Sequence, residues 1–154
     1  MLDTMIFDLI VGDLAFAKTV RDAALNGSIT IVSTHIQEDQ IADIPDDEKR
    51  EAISRIPRTV VATTGFALDV SRLGMAEFAD DDTSATLERM GQRHLKNTKD
   101  ALIAASASDK ADAIVTEDKT LRHRIRQEGL NVPLLTFEEF RRQVSSLLRE
   151  AESP

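Results

Sequence analysis

Four carboxylates, Asp3, Glu38, Asp100 and Asp118, are the side chains whose positions in the chain point to chemistry. Two of them bracket residues 97–119, NTKDALIAASASDKADAIVTEDK, which read as a helix, a turn and a buried strand. Asp100 is expected in the first turn of the helix, followed by Ala101-Leu102-Ile103-Ala104-Ala105-Ser106-Ala107, small enough to lie close against a sheet. Asp112 opens the apolar strand Ala113-Ile114-Val115, which stops at Thr116-Glu117-Asp118-Lys119. A helix returns the chain antiparallel to the strands, so its start lies at the edge where the next strand finishes. Asp100 and Asp118 are therefore expected on one rim, where open α/β sheets hold their ligands. Asp112 lies roughly 20 Å from Asp118 at ~3.3 Å per strand residue, which favours Asp118 over Asp112 as the partner of Asp100.

The elements that must position these acids alternate between strand and helix. Residues 2–7 read as a first strand or its end, carrying Asp3. Phe16, Val20, Ala23 and Ala24 give an amphipathic helix closed by Asn26-Gly27. Residues 28–33 form a second strand, and Thr34-His35-Ile36-Gln37 is a capping box that starts a helix directly after it. That puts Glu38 in the first or second turn. A helix over 46–56, with Ala52, Ile53 and Ile56 on its apolar side, ends at Pro57, and 59–63 make a third strand. Residues 64–82 read as loops around Gly65, Gly74 and Asp80-Asp81-Asp82, with a short strand near 66–70. Leu87, Met90 and His94 mark a helix over 84–95. After the central unit come a helix over 120–128 stopped by Gly129 and a last strand over 132–135, whose Pro133 suits an edge. Thr136-x-x-Glu139 then caps a helix striped by Phe137, Phe140, Val144, Leu147 and Leu148.

This alternation implies a three-layer α/β/α sandwich with a mainly parallel central sheet. With 154 residues, 42% of them hydrophobic, the chain can bury one ordinary core, so a single domain over 1–149 with a frayed 150–154 tail is expected. No apolar run is long enough to span a bilayer, and no signal-peptide pattern appears. Without cysteine there is neither a disulfide framework nor a thiolate metal site, and a cytoplasmic location is the simplest expectation. The net charge of −8 argues against indiscriminate binding to phosphate backbones, which needs a basic face. It leaves room for a nucleic-acid enzyme whose acids are neutralised by metal ions.

Asp3, Glu38, Asp100 and Asp118 all fall near the same strand-end rim in this reading. Carboxylates converging without matching His or Cys ligands suit a hard, oxygen-seeking cation such as Mg²⁺ or Mn²⁺. On a phosphodiester such an ion can activate water and stabilise the leaving oxygen, so the chemistry is metal-assisted hydrolysis.

Leu2-Asp3-Thr4, Glu38 after the second strand, the helix opening Asp100-Ala-Leu-Ile-Ala-Ala and the run Ala-Ile-Val-Thr-Glu-Asp-Lys together resemble a PIN domain. The resemblance spans nearly the whole chain and is weakest over residues 64–94. It implies a metal-dependent nuclease, most often an endoribonuclease, in a family that includes the VapC-type toxins. It further implies that Asp3, Glu38, Asp100 and Asp118 form the acidic quartet, supported by Thr4 and Thr116, and that the partners are RNA, an antitoxin protein and a second copy in a homodimer. The sequence departs from the family at Met5, where Asn or Ser is usual, and in the short run before Asp3. That run implies a stunted central strand or a natural start further upstream.

Each acid also has a plainer reading. Asp100 would favour a helix dipole, Asp118 would cap the next helix, and Glu38 would be a solvated helix residue. Asp8 is an alternative to Asp3 as the acid of the first strand. Asp80-Asp81-Asp82 reads as a solvated capping run. His35, His94 and His123 share no ligand spacing and read as surface or partner residues. Lys119, Arg122, Arg124 and Arg126 are the densest basic cluster, either an exposed helix face or a phosphate-guiding rim. A binding module that keeps the PIN fold without cutting is the alternative function. An aspartyl phosphatase fits less well, because Asp3 and Asp8 are too widely spaced.

Overall fold

The computed structural model describes residues 1–91 and 95–151, so His94 and the last tail residues lie outside the described residues. Helices dominate a mixed α/β arrangement. In chain order they are α1 (Thr4–Val11), α2 (Leu14–Leu25), α3 (His35–Ala42), α4 (Asp47–Ser54), α5 (Asp81–Gly91), α6 (Leu95–Lys110), α7 (Lys119–Gln127) and α8 (Phe137–Ala151). The strands are β1 (Val32–Thr34), β2 (Thr59–Val61), β3 (Thr63–Thr64), β4 (Ala76–Glu77), β5 (Ile114–Val115) and β6 (Leu134–Leu135).

Among the described residues the strands hydrogen-bond as three parallel pairs, β1 with β2, β3 with β4, and β5 with β6. Leu2 adds a parallel bridge to Val115, with Asp3 N–H donating to the Val115 carbonyl at 2.9 Å. The expected parallel direction is therefore present, while a continuous central sheet is replaced by short ladders. Strand residues nonetheless alternate between two apolar clusters, as a period of two requires. Leu2, Ile31 and Val115 belong to a cluster with Ile6, Phe7, Ile10, Val20 and Val144. Their neighbours Met1 and Ile114 belong to a second cluster with Leu102, Leu121 and Ile125. Adjacent residues of these strands thus contribute to different apolar clusters.

Several expectations are corrected. The first strand over residues 2–7 ends at the Leu2 bridge, and the chain turns into α1 at Thr4. Ile6, Phe7 and Ile10 fall on one helical face, fully buried, so the apolar run satisfies the core as a helix. The strand expected near 66–70 is absent, and the pairing lies downstream at β4, where Ala76 and Glu77 pair with Thr63 and Thr64. α6 starts at Leu95, which puts Asp100 in the second turn rather than the first. The second strand narrows to Val32–Thr34, and α8 continues to Ala151, past the expected start of fraying.

Local chemistry explains the boundaries that match. Gln37 accepts the Thr34 N–H at 3.0 Å in the capping box of α3, and Glu139 does the same for Thr136 at 2.7 Å ahead of α8. Asp80 accepts the Thr83 N–H at 2.8 Å ahead of α5, which is the capping role expected of the triple-Asp run. α7 ends at Gly129, whose φ of 68° is open to glycine at little cost.

Candidate functional site

Thr116 is the centre of the site. It follows β5, is fully buried, and its backbone N–H donates to Leu135 across to β6 at 3.0 Å. Its hydroxyl donates to the Asp3 carboxylate at 2.6 Å and accepts the Asp118 N–H at 3.0 Å. One buried oxygen therefore ties together two of the predicted acids, which are far apart in sequence. Asp3 is also the N-cap residue of α1, yet its carboxylate makes no capping bond, and the bond to Thr116 turns it toward β5. Asp118 does cap: its Oδ1 accepts the N–H groups of Thr120 at 2.7 Å and Leu121 at 3.0 Å. The N-termini of α1 and α7 converge here, and their dipoles favour negative charge at this rim.

Two basic residues of the predicted cluster are drawn into the scaffold. Arg122 donates to the Thr116 carbonyl at 3.1 Å. Arg124 donates to Asn97 at 2.9 Å, fastening α7 to the first turn of α6 and so to the segment that carries half-buried Asp100. Lys119 is exposed beside Asp118. The hydroxyl of Thr4, expected to support the metal site, hydrogen-bonds Gln40 and ties α1 to α3 instead.

Glu38 has a different setting. Arg58 grips it with both arms of its guanidinium, Nε to Oε1 at 2.7 Å and a terminal nitrogen to Oε2 at 2.8 Å. Ser33 adds a third bond to Oε1 at 2.6 Å. Burial pushes the carboxyl up, but the hydrogen bonds from Arg58 and Ser33 and the charge of Arg58 outweigh it and hold it below the usual glutamate range. Arg58 is itself anchored by the carbonyls of Ile53 and Ile56 and lies over the Phe7 ring. Sequence reasoning passed over Arg58. A lone basic residue directly after Pro57 carries no spacing signal, because its partner is brought to it by the β1–β2 pairing.

The remaining candidates are resolved as follows. Asp8 lies on α1 and pairs with Lys49 at 2.9 Å near the surface. Asp112, at the far end of the strand, lies near enough to the Met1 amine for its charge to oppose the lowering of that amine's pKa by burial. His35, expected at the surface, is buried at 1% exposure. Its Nε2 bonds the Val70 carbonyl at 3.2 Å, so that nitrogen carries the proton and Nδ1 has no partner among the described residues. His123 is exposed, and Met5, the departure from the PIN pattern, is half-exposed on α1.

Among the described residues no three Asp, Glu or His side chains lie close enough together to hold a metal ion. The Thr116 hydroxyl meets Asp3 through its carboxylate and Asp118 through its backbone N–H, so a cation held here would draw on one or two carboxylates and keep most of its water, as Mg²⁺ does. Comparison with protein-family models, with curated proteins and with solved structures finds no match to this chain.

Proposed function

We propose that this chain is a divalent-metal-dependent nuclease of PIN-like, three-layer α/β/α architecture that hydrolyses RNA phosphodiester bonds. The observation that carries the reading is the buried Thr116 hydroxyl, which donates to the Asp3 carboxylate and accepts the backbone N–H of Asp118, so that the two acids stand at one end of β5. Asp3 and Asp118 would hold Mg²⁺ or Mn²⁺, with Asp100 on the adjoining helix completing the acidic rim. When bound, such an ion supplies water activation and charge neutralisation at the phosphate. Thr116 holds the Asp3 carboxylate in one orientation, and Arg122 keeps Thr116 in place from the other side. Glu38 acts through the scaffold, since Arg58 engages both of its oxygens. Lys119 is left to meet the phosphate backbone. The same proposal includes a homodimer and, for a toxin of the VapC type, an antitoxin partner.

A second reading is a PIN fold that binds RNA or protein without cutting. It is favoured by the capture of Glu38 and by Met5. Incubating a mixed panel of RNA and single-stranded DNA with Mn²⁺, beside Asp3→Asn and an EDTA control, separates the two. The nuclease reading expects RNA cleavage that both controls abolish. Absence of cleavage together with absence of Mn²⁺ binding by calorimetry would overturn it in favour of the binding module.

A further inference from the structure

The chain spends aromatic residues sparingly, with six phenylalanines and no tyrosine or tryptophan. Four of them lie in the first apolar cluster: Phe7 is fully buried, and Phe16 meets Phe137 and Phe140 edge to face. The other two, Phe66 and Phe78, are exposed at 46% and 99%, and both line one cavity of about 700 Å³. Leu87 and Ala101 line it too, together with the polar groups of Glu88 and Thr98. Gly65 keeps it open at its base. With a φ of 98°, a Cβ there would stand 2.2 Å from a Leu87 methyl. An apolar cavity of this size with a few polar groups is the form of a small-ligand site.

Thr98, Ala101 and Leu102 line the cavity from α6, the helix that also carries Asp100. In the basic cluster of α7, Arg122 and Arg124 are engaged by protein acceptors, while Lys119 and Arg126 are exposed. Stacking on aromatic rings supplies affinity without charge and accepts any base.

We propose that Phe66 and Phe78 form a cradle for an unpaired base of a single-stranded RNA, an inference that rests on the nuclease reading for the identity of its ligand. The base stacks on the rings, and adenine, cytosine and guanine, unlike uracil, also donate an exocyclic amine N–H to Glu88.

Binding of a short fluorescein-labelled single-stranded RNA, followed by anisotropy in EDTA so that nothing is cut, tests the cradle independently of catalysis. Phe78→Ala is expected to weaken binding about tenfold, within the range for losing one aromatic stack. Phe78→Leu should lose as much, because it stays apolar without a flat π face, and Phe78→Trp should bind as well as the parent. An oligonucleotide with abasic sites should bind the parent as weakly as intact RNA binds Phe78→Ala. Phe78 is almost fully exposed, so its variants keep the fold, and thermal melting checks this. Unchanged affinity in Phe78→Ala, or a parent that does not bind, overturns the cradle. So does a dimer, seen by light scattering, that Phe78→Ala dissociates with RNA affinity intact, since the face would then belong to a second copy. If the Phe78 variants lose binding while no metal supports cleavage, the nuclease reading fails and the cradle stands. Cleavage by a parent whose binding ignores Phe78 gives the reverse.

Discussion

Glu38 shows how a single neighbour changes what a carboxylate can do. Its two oxygens accept three hydrogen bonds, two of them from a guanidinium that is itself fixed by backbone carbonyls. Removing the charge leaves Arg58, at 11% side-chain exposure, without its partner. Glu38→Gln is expected to lower unfolding free energy by about 1–3 kcal/mol, the range for losing charge-assisted bonds in a partly buried pair. Urea denaturation checks it, and Glu38→Gln with Arg58→Gln should cost less than the two single changes added together. The carboxyl titrates below its ordinary 4.5 in the folded chain. Its stabilisation is therefore complete above that value and is lost as pH falls through the folded value. Glu38→Gln should flatten this acid limb, and an unchanged limb would mean that other carboxylates set it.

At the scale of elements, α7 depends on Asp118, and that dependence competes with any role for the same carboxylate at a metal. Both capping bonds fall on Oδ1. Asp118→Ala is expected to cost about 1 kcal/mol through loss of the cap. Asp118→Asn keeps a side-chain oxygen for the helix N–H groups while removing the charge. If the rim holds a cation, Asn should melt near the parent temperature yet lose Mn²⁺ affinity in calorimetry. If Asp118 serves only as a cap, the Asn variant should match the parent in both measurements. Much at this scale was legible in the sequence, because capping boxes and helical stripes are local. Thr34-x-x-Gln37, Thr136-x-x-Glu139 and the Phe16-Val20-Ala23 stripe all mark helices where expected. Residues 2–7 were read as strand because a short apolar run fits either period, and only the core it meets decides. The β3–β4 pairing was missed for a similar reason: two-residue strands have no periodicity to detect.

For the molecule as a whole, the amine of Met1 reports on the folded state. It sits among buried groups and donates to the Ala113 carbonyl at 2.6 Å. Burial pushes its pKa from 8.0 down to about 6, with the charge of Asp112 opposing the shift. Between those values the unfolded chain binds the proton that the folded chain has released, so stability rises with pH across this window. For the chain beginning at Met1, the gain from pH 6 to pH 8 should approach roughly 2–3 kcal/mol. Chemical denaturation at several pH values measures it. N-terminal acetylation removes the titrating group, so the acetylated chain should lose this part of the slope. Equal slopes in the two forms would rule the amine out as its source. Across the described residues no helix is long and apolar enough to cross a membrane.

The sequence by itself determined the capped helix starts and the mixing of helices with short parallel strands, which follow from local periodicity and capping chemistry. Only the tertiary structure decided that Arg58 would engage Glu38, that His35 would be buried, and that Phe66 and Phe78 would share a cavity. Those outcomes depend on contacts between segments distant in the chain. No local spacing encodes them, because the energy that fixes them is released only when the two apolar clusters assemble.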